Sequence, residues 1–596
     1  MCESDYAAEM ESESRMAEDV QRKNIGLDWL ACGVLFAATA AFTLWQNAHV
    51  AVLWDLSYLL DTSWRIALGQ MPYRDFPLVH PPLTFLIQAA LMRIAGRAYW
   101  IQIAYAALIG GLGTVISWRI IFRTLREKVV LARPISLALA APLCVLGAYG
   151  IYPHPIYDCD SVFAVLIAIF MLQRLALESH TGWRVWLRCA LTGVTLMLPV
   201  FFKQNIGLPF LLVIVPGLFL LFVASQLRKK GQMLWPGVLL PGELLWIFTG
   251  AAFALVLAIF LIHKTAGLGN YAHWTVTFAG QRRLPGLADM LAVYRQPSFL
   301  WTVPTFGAGV VLMYTGWIAK GWGRLLALAL AATPFIGSLI FLLIEDDLDE
   351  RADNLLALWP LLLLAALFFA LVELRKGITL ARLLPVFILP AIHGAFLSQQ
   401  LWGSTYAIWP LLMILIAGIL ISLPRRPAWP VAGLAAVIGL TFTVCGGLYA
   451  VGHERMNYIQ LPGEPDSPVQ RATLPALRGM STPGPFLEDF EELVRFADRE
   501  IPAQDGILLL PGEEPFYFAT GRTPQFPMQI LDRTTDPYSP TQLMEQVDRR
   551  NIRWVIVKTR LQLNENPLPE RERTLALVKN EFQLYTRLMG YEVYRR

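Results

Sequence analysis

The stretch WDLSYLLDTSWRIALGQMPYRDFPLVHPP runs from Trp54 to Pro82. It follows the first strongly apolar segment (27–47) and leads into a second apolar piece, PPLTFLIQAALMRIAG (81–96). It mixes Asp55, Asp61, Asp75, Arg65, Arg74 and His80 with Trp, Tyr, Phe and Leu. If 81–96 crosses a membrane, this is a short connection and every later segment changes side. If it does not, 48–98 is one long loop whose charged residues gather on a single face of the membrane.

The chain is a membrane protein by composition. Of its 596 residues, 56% are hydrophobic and only 16% are charged, against about 25% charged in a typical soluble domain. Apolar runs long enough to cross a bilayer recur from Leu27 to Val451. The net charge of +4 is small and asks for no nucleic acid; its distribution is more telling than its sum. The spacing of the six cysteines suggests no pair, so neither a disulfide framework nor a zinc site is expected. The acidic, polar residues 1–26 lack the basic and apolar regions of a cleavable signal and read as a cytoplasmic tail.

Lys and Arg favour cytoplasmic loops. The clusters at 119–133, 174–188, 228–230, 320–324, 375–382 and 425–426 are therefore placed inside. The connections 48–98, 152–160, 202–206, 264–298, 345–354 and 400–405 then lie outside. This scheme holds only if 81–96 does not span, and the segment is short and carries Arg93. We read it as a helix on the outer membrane surface. The expected spans number about 13: 27–47, 99–119, 134–152, 161–177, 185–202, 206–224, 237–262, 299–318, 325–344, 355–373, 383–399, 405–423 and 428–450. An odd count puts the C-terminus outside. There, a Pro- and Gly-rich linker (452–484) precedes 485–596, where strand-like and helical stretches alternate as in a small α/β domain. That domain shows no Gly-rich phosphate loop, GxSxG or HExxH motif.

Ionisable groups at a membrane each need a reason. From Asp55 to Leu68 no Gly or Pro interrupts a helix, and Gly69 and Pro72 close it. Asp55, Tyr58, Thr62 and Arg65 share one face. Asp61 and Arg65 stand four apart and read as a simple ion pair. Asp55 reads equally as a helix N-cap or a catalytic carboxylate. In YPHPIYDCDS (152–161), His154, Asp158 and Asp160 form a nitrogen- and oxygen-rich cluster able to hold a divalent cation such as Mg, Mn or Zn; capping of the next helix is the plainer role for Asp160. In FFKQNIG (201–207), Lys203 stands in a tight turn, where it can snorkel or pair with a phosphate. Arg282, Arg283, Tyr294 and Arg295 add charge and aromatic surface to loop 264–298.

As a set, these residues suit a reaction on a phosphate-bearing lipid: a carboxylate takes a proton from an acceptor hydroxyl, and a cation neutralises a leaving phosphate. A transporter would instead show mid-span charges, broken helices and repeats.

An Asp at the end of the first span (Asp55), then Tyr58, Gly69-x-x-Pro72-Tyr73-x-Asp75-Phe76 and Pro81-Pro82 before a surface helix resembles the GT-C superfamily of membrane glycosyltransferases. The nearest branch is the family 39-like type, the protein O-mannosyltransferases and aminoarabinose lipid A transferases. The sequence departs from that pattern where Leu56 follows Asp55, and in STYAIWP (404–410), which has Tyr406 but no Arg. The resemblance implies a polytopic α-helical protein with an external α/β domain. It also implies inverting transfer of a sugar from a polyprenyl-phosphate donor to a lipid, protein or glycan acceptor, at the outer face of a bacterial inner membrane. Asp55 would be the base or would orient the acceptor. Asp158 would be the second acidic residue, near a metal held with His154 and Asp160, and Lys203 would hold the donor phosphate. Tyr58, Arg65, Tyr73, Arg74, His80, Arg295 and Tyr406 complete the expected substrate contacts. The rivals are a lipid or polysaccharide transporter and a non-catalytic envelope assembly protein.

Overall fold

The structure is a computed structural model. It describes residues 3–48, 53–126, 129, 131–177, 183–226, 239–283, 288, 291–315, 321–344, 358–396, 407–423, 429–451, 468–528, 530–531, 535–561 and 569–596. Tyr406 and the acidic stretch 345–354 lie outside them.

The chain is mostly helical, with a C-terminal sheet. Among the described residues, eight helices are long and apolar enough to cross a membrane. They are the apolar part of α1 (Glu3–Asn47), then α4 (Tyr99–Arg126), α7 (Tyr157–Leu177), α8 (Trp183–Phe202), α9 (Gln204–Gln226) and α10 (Pro241–Thr265), followed by Gly321–Ile344 and Trp429–Val451. Shorter apolar helices at Phe299–Tyr314, Trp359–Leu374, Leu380–Ala395 and Trp409–Ser422 fall where four further spans are expected.

Two segments bear on the topology. The 81–96 piece folds as α3 (Leu83–Ala95) of 13 residues, about 20 Å at 1.5 Å per residue against a hydrocarbon core of roughly 30 Å. Its Arg93 donates to the carbonyls of Ala67 and Ile66, tying it to α2 (Leu53–Ala67) in the preceding loop. The segment 134–152, expected to be one span, is instead broken into α5 (Ala132–Ala140) and the single turn α6 (Leu143–Leu146). Pro142 brings no N–H to the helical ladder and Gly147 turns extended at the end of α6, so the hydrogen-bond ladder cannot run through.

The C-terminal sheet has the order β3-β4-β6-β5, from β3 (Gly506–Leu510), β4 (Ile552–Lys558), β5 (Gln583–Arg587) and β6 (Tyr591–Arg595). β3 and β4 are parallel; the other neighbours are antiparallel. Upstream, β1 (Val469–Arg471) and β2 (Ser481–Pro483) pair antiparallel within the stretch read as linker. Successive residues of a strand face opposite sides. Ile507, Leu509, Trp554 and Ile556 face helix Phe486–Glu500 and, beyond it, Leu56 and Leu60 of α2. Leu508, Leu510, Val555 and Val557 face helix Pro540–Arg549.

The first loop and this domain therefore share a core, and polar bonds reinforce the seam. Ser57 donates to the carbonyls of Gly512 and Glu514 at 2.9 and 2.8 Å. Trp64 donates to the Arg522 carbonyl and Arg97 to those of Phe518 and Ala519. Asp61 accepts the N–H groups of Phe518 and Tyr517 at 2.8 and 3.3 Å. Burial pushes its carboxyl up to about 7, against the pull of those N–H groups and of Arg65. Arg65 donates to the carbonyls of Phe526 (2.7 Å) and Met528 (3.2 Å). Asp61 and Arg65, expected to form a simple ion pair, are both buried and also fasten two parts of the chain together.

Candidate functional site

At the other side of α2, three membrane helices and the first loop meet around Lys203. The helices α8 and α9 are separated by that single residue, whose N–H bonds the Pro199 carbonyl at 3.0 Å. The same carbonyl accepts the hydroxyl of Ser161 at 3.1 Å. Ser161 stands just after the first turn of α7, so the shared acceptor brings the start of α7 against the turn. Asp158, one helical turn earlier, then meets Lys203: Nζ lies 2.5 Å from Oδ1, with both side chains buried. Gly207 allows so close a turn, since a Cβ there would come within 2.2 Å of the Val200 backbone nitrogen.

Aromatic rings wall the pair. The Lys203 ammonium lies 4.7 Å from the Tyr157 ring centroid, within cation–π range. His80 stacks on Tyr157 with centroids 3.9 Å apart, and Tyr58 meets His80 edge-on. Phe85 closes against both Tyr58 and Tyr157. Tyr73 donates its hydroxyl to the His80 carbonyl at 2.7 Å and packs edge-on against Tyr271. Its backbone is left-handed, φ +69°, an uncommon state for a residue with a side chain. The Tyr73 N–H reaches back to the Phe76 carbonyl, and the Met71 N–H donates to the Asp75 carboxylate at 2.7 Å. The PYRDF segment is thus a tight turn that delivers His80 to the corner.

The structure brings Asp158, Lys203, Tyr58, His80 and Tyr73 together. Asp55 opens the same helix as Tyr58, three residues earlier, and is half-buried. Arg65 lies at the seam with the C-terminal domain. Arg74 is exposed and pairs with its neighbour Asp75 at 2.9 Å, and Arg295 is also exposed.

The expected metal ligands do not converge. Among the described residues no group of three His, Cys, Asp or Glu side chains is placed to hold a metal ion. Asp160 accepts the hydroxyls of Tyr149, Thr84 and Tyr105 at 2.6, 2.7 and 2.8 Å, which makes it a junction for α3, α4 and α7. Asp158 is held by Lys203. His154 is buried, its Nδ1 3.3 Å from the Pro155 carbonyl and its ring edge-on to Tyr152. This donor set does not fit a resident divalent cation, and no step below is routed through one.

No family model and no curated protein matches the chain. Among solved structures it is similar to ArnT from Cupriavidus metallidurans in the apo state, at 12% identity and a TM-score of 0.47, covering 96% of this chain and 98% of that one. It is also similar to the same protein bound to undecaprenyl phosphate, at 11% identity, a TM-score of 0.40 and the same coverage. A third is the Archaeoglobus fulgidus oligosaccharyltransferase complex with Zn and sulfate, at 11% identity and a TM-score of 0.42, covering 88% of this chain and 68% of that one. Likenesses this distant leave the function to be argued from the chain's own residues.

Several contributors escaped the sequence reading. Tyr157 sits in the quoted YPHPIYDCDS, and its place directly before Asp158 was the available signal. His393 was also missed; its Nε2 lies 2.6 Å from the hydroxyl of Tyr294, which the sequence had singled out in loop 264–298. Gly394, next to His393, packs so close to the turn after Lys203 that a Cβ there would lie 2.0 Å from the Asn205 carbonyl oxygen. A lone histidine in an apolar segment was the clue to that pair.

Proposed function

We propose that the chain transfers a sugar from a polyprenyl-phosphate-linked donor to an acceptor hydroxyl or phosphate at the outer face of the membrane, with inversion. The observation that carries this reading is the Lys203–Asp158 pair, buried in an aromatic wall at the ends of α7, α8 and α9. A buried ammonium at that depth suits a phosphate attached to a membrane-embedded lipid tail, and attraction between the two is strong where water is scarce. Lys203 neutralises the phosphate as the glycosidic bond breaks. Asp158 positions Lys203. Tyr58, His80 and Tyr73 shape the wall on which the sugar rests. Asp55 takes the acceptor proton or orients the acceptor. Arg65 leaves the proposed site, because its guanidinium is committed to backbone carbonyls of 526–528. The resemblance seen in the sequence points to the same chemistry, and the similar structures include one bound to undecaprenyl phosphate.

The test is direct. Purified protein is given labelled polyprenyl-phosphate sugars with envelope extracts as acceptors. Transfer that disappears in Asp55→Asn and Lys203→Gln supports the reading. A donor left intact with every acceptor, together with movement of intact lipid across vesicles, would replace it with transport.

A further inference from the structure

The C-terminal domain borders a cavity of about 390 Å³, whose lining does not include Lys203. Its floor is Leu510 and Pro511, at the carboxyl end of β3. In open α/β sheets, ligands settle outside the carboxyl ends of strands, and the volume lies in the range of small-molecule sites. Arg571, Arg573 and Arg282 line it, and among the described lining residues Asp536 is the one carboxylate. Arg571 is fastened to the carboxyl end of the neighbouring strand, donating to the Lys558 carbonyl at 3.2 Å. Its Nε–H is buried with no hydrogen-bond partner among the described residues. Arg282 belongs to the membrane half and reaches across to the Asp536 carbonyl at 3.4 Å. Tyr538 lines the same cavity and offers a ring face and a phenol to sugar carbons and hydroxyls. Leu531 and Asp536 line this cavity, while Met528, Ile530 and Thr535 line a small pocket together with Tyr58, Pro77 and Val79.

We propose that this cleft is a second ligand site, which holds the anionic group of a phosphorylated saccharide between the membrane half and the C-terminal domain. Arg571 and Arg573 take the phosphate oxygens, Arg282 closes on them from the membrane side, and Tyr538 stacks on the sugar. The proposal goes beyond the transfer reaction and stands whether or not Lys203 serves it.

Arginine modification by phenylglyoxal, mapped residue by residue on the full-length protein, reads the site without any activity assay. Glucose 1-phosphate, glucose and inorganic phosphate are the probes. Glucose 1-phosphate at about ten times its Kd should slow labelling of Arg571 and Arg573 roughly tenfold, with Arg587 on β5 unchanged. Plain glucose should protect neither. An Arg571→Gln, Arg573→Gln double variant should lose the protection at Arg282. Equal labelling with and without glucose 1-phosphate overturns the site. Protection by inorganic phosphate as strong as that by glucose 1-phosphate overturns the saccharide part.

Discussion

The two faces of the first loop use buried charge in opposite ways. On the face toward the C-terminal domain, Ser57, Asp61, Trp64 and Arg65 bond backbone N–H and carbonyl groups of residues 512–528. On the face toward the membrane helices, Lys203 meets a carboxylate and a ring, and His80 meets rings. A backbone group cannot turn away, so the first arrangement welds. A side chain can exchange one partner for another, so the second can admit a substrate. Burial and charge are common to both; the nature of the partner separates structure from function.

The sharpest way to break this contrast is to remove Lys203. Lys203→Gln should lower transfer by about 10²–10³-fold, the usual loss when one stabilising donor is removed. It should also destabilise the protein by roughly 3–5 kcal/mol, because Asp158 stays buried without its cation. The double change Lys203→Gln, Asp158→Asn separates the two effects. Thermal stability should return while transfer does not. If transfer returns as well, the pair is structural and the contrast collapses.

Gly207→Ala tests whether the turn itself sets the site. The added Cβ would lie 2.2 Å from the Val200 nitrogen and 2.3 Å from its Cα, and backbone atoms cannot swing aside. The turn must shift, and a displacement of about 1 Å at a reacting centre costs on the order of 10²-fold. Transfer measured at saturating donor should fall while the protein still inserts and purifies. Unchanged turnover would mean that the position of Lys203 does not matter.

At the seam the expected effect is on stability. Asp61→Ala strands two buried N–H groups and should cost about 2–3 kcal/mol, seen as a lower melting temperature and faster proteolysis between the halves, with turnover per folded molecule little changed. The same carboxylate gives the seam a pH dependence. Its pKa rises from an ordinary 3.8 to about 7 in the folded protein, so the folded state holds a proton that the unfolded chain has already released. This contribution is complete below pH 4 and is lost as the pH climbs through about 7. The melting temperature should therefore decline across that window, and Asp61→Asn should flatten the decline. A decline of the same slope in the Asn variant would assign it to another group.

Much of the helical half was legible because lipid demands continuous apolar length, and that is written in single segments. The shortness of 81–96 was legible in the same way, and it folds as a 13-residue helix tied to the first loop by Arg93. The break at Pro142 was missed because apolar length was weighed above a single proline. In the C-terminal domain β3 and β4 showed through the short apolar runs GILLL and WVIVK, whereas β1 and β2 lay inside the stretch read as linker. The roles of Asp61 and Arg65 were not legible, since their partners lie more than 450 residues away and are backbone atoms of no particular residue type. Asp158 and Lys203 stood out as charges at span ends, but their meeting depends on Ser161 and Lys203 sharing the Pro199 carbonyl, which no local pattern announces. Asp160 was read as a helix cap or a metal ligand, because three hydroxyls from distant parts of the chain could not be foreseen.

The smallest effects lie within the PYRDF turn, where the two kinds of bond sit on one residue. Asp75 accepts the Met71 N–H and also pairs with exposed Arg74, which holds its carboxyl below the usual range. Asp75→Ala should cost about 1 kcal/mol, the worth of a side-chain bond that closes a turn, and should loosen the left-handed Tyr73 and with it His80. Arg74→Ala should leave the melting temperature where it was, because an exposed pair contributes little. Because the Asp75 pKa is depressed, its part of the stability is present at neutral pH and lost as the pH falls through the folded value. Thermal melts of both variants at pH 7 and pH 3 measure the difference. Should Arg74→Ala prove the more damaging of the two, a side-chain partner would outweigh a backbone one, and the division between weld and site drawn across the first loop would fail where it is easiest to see.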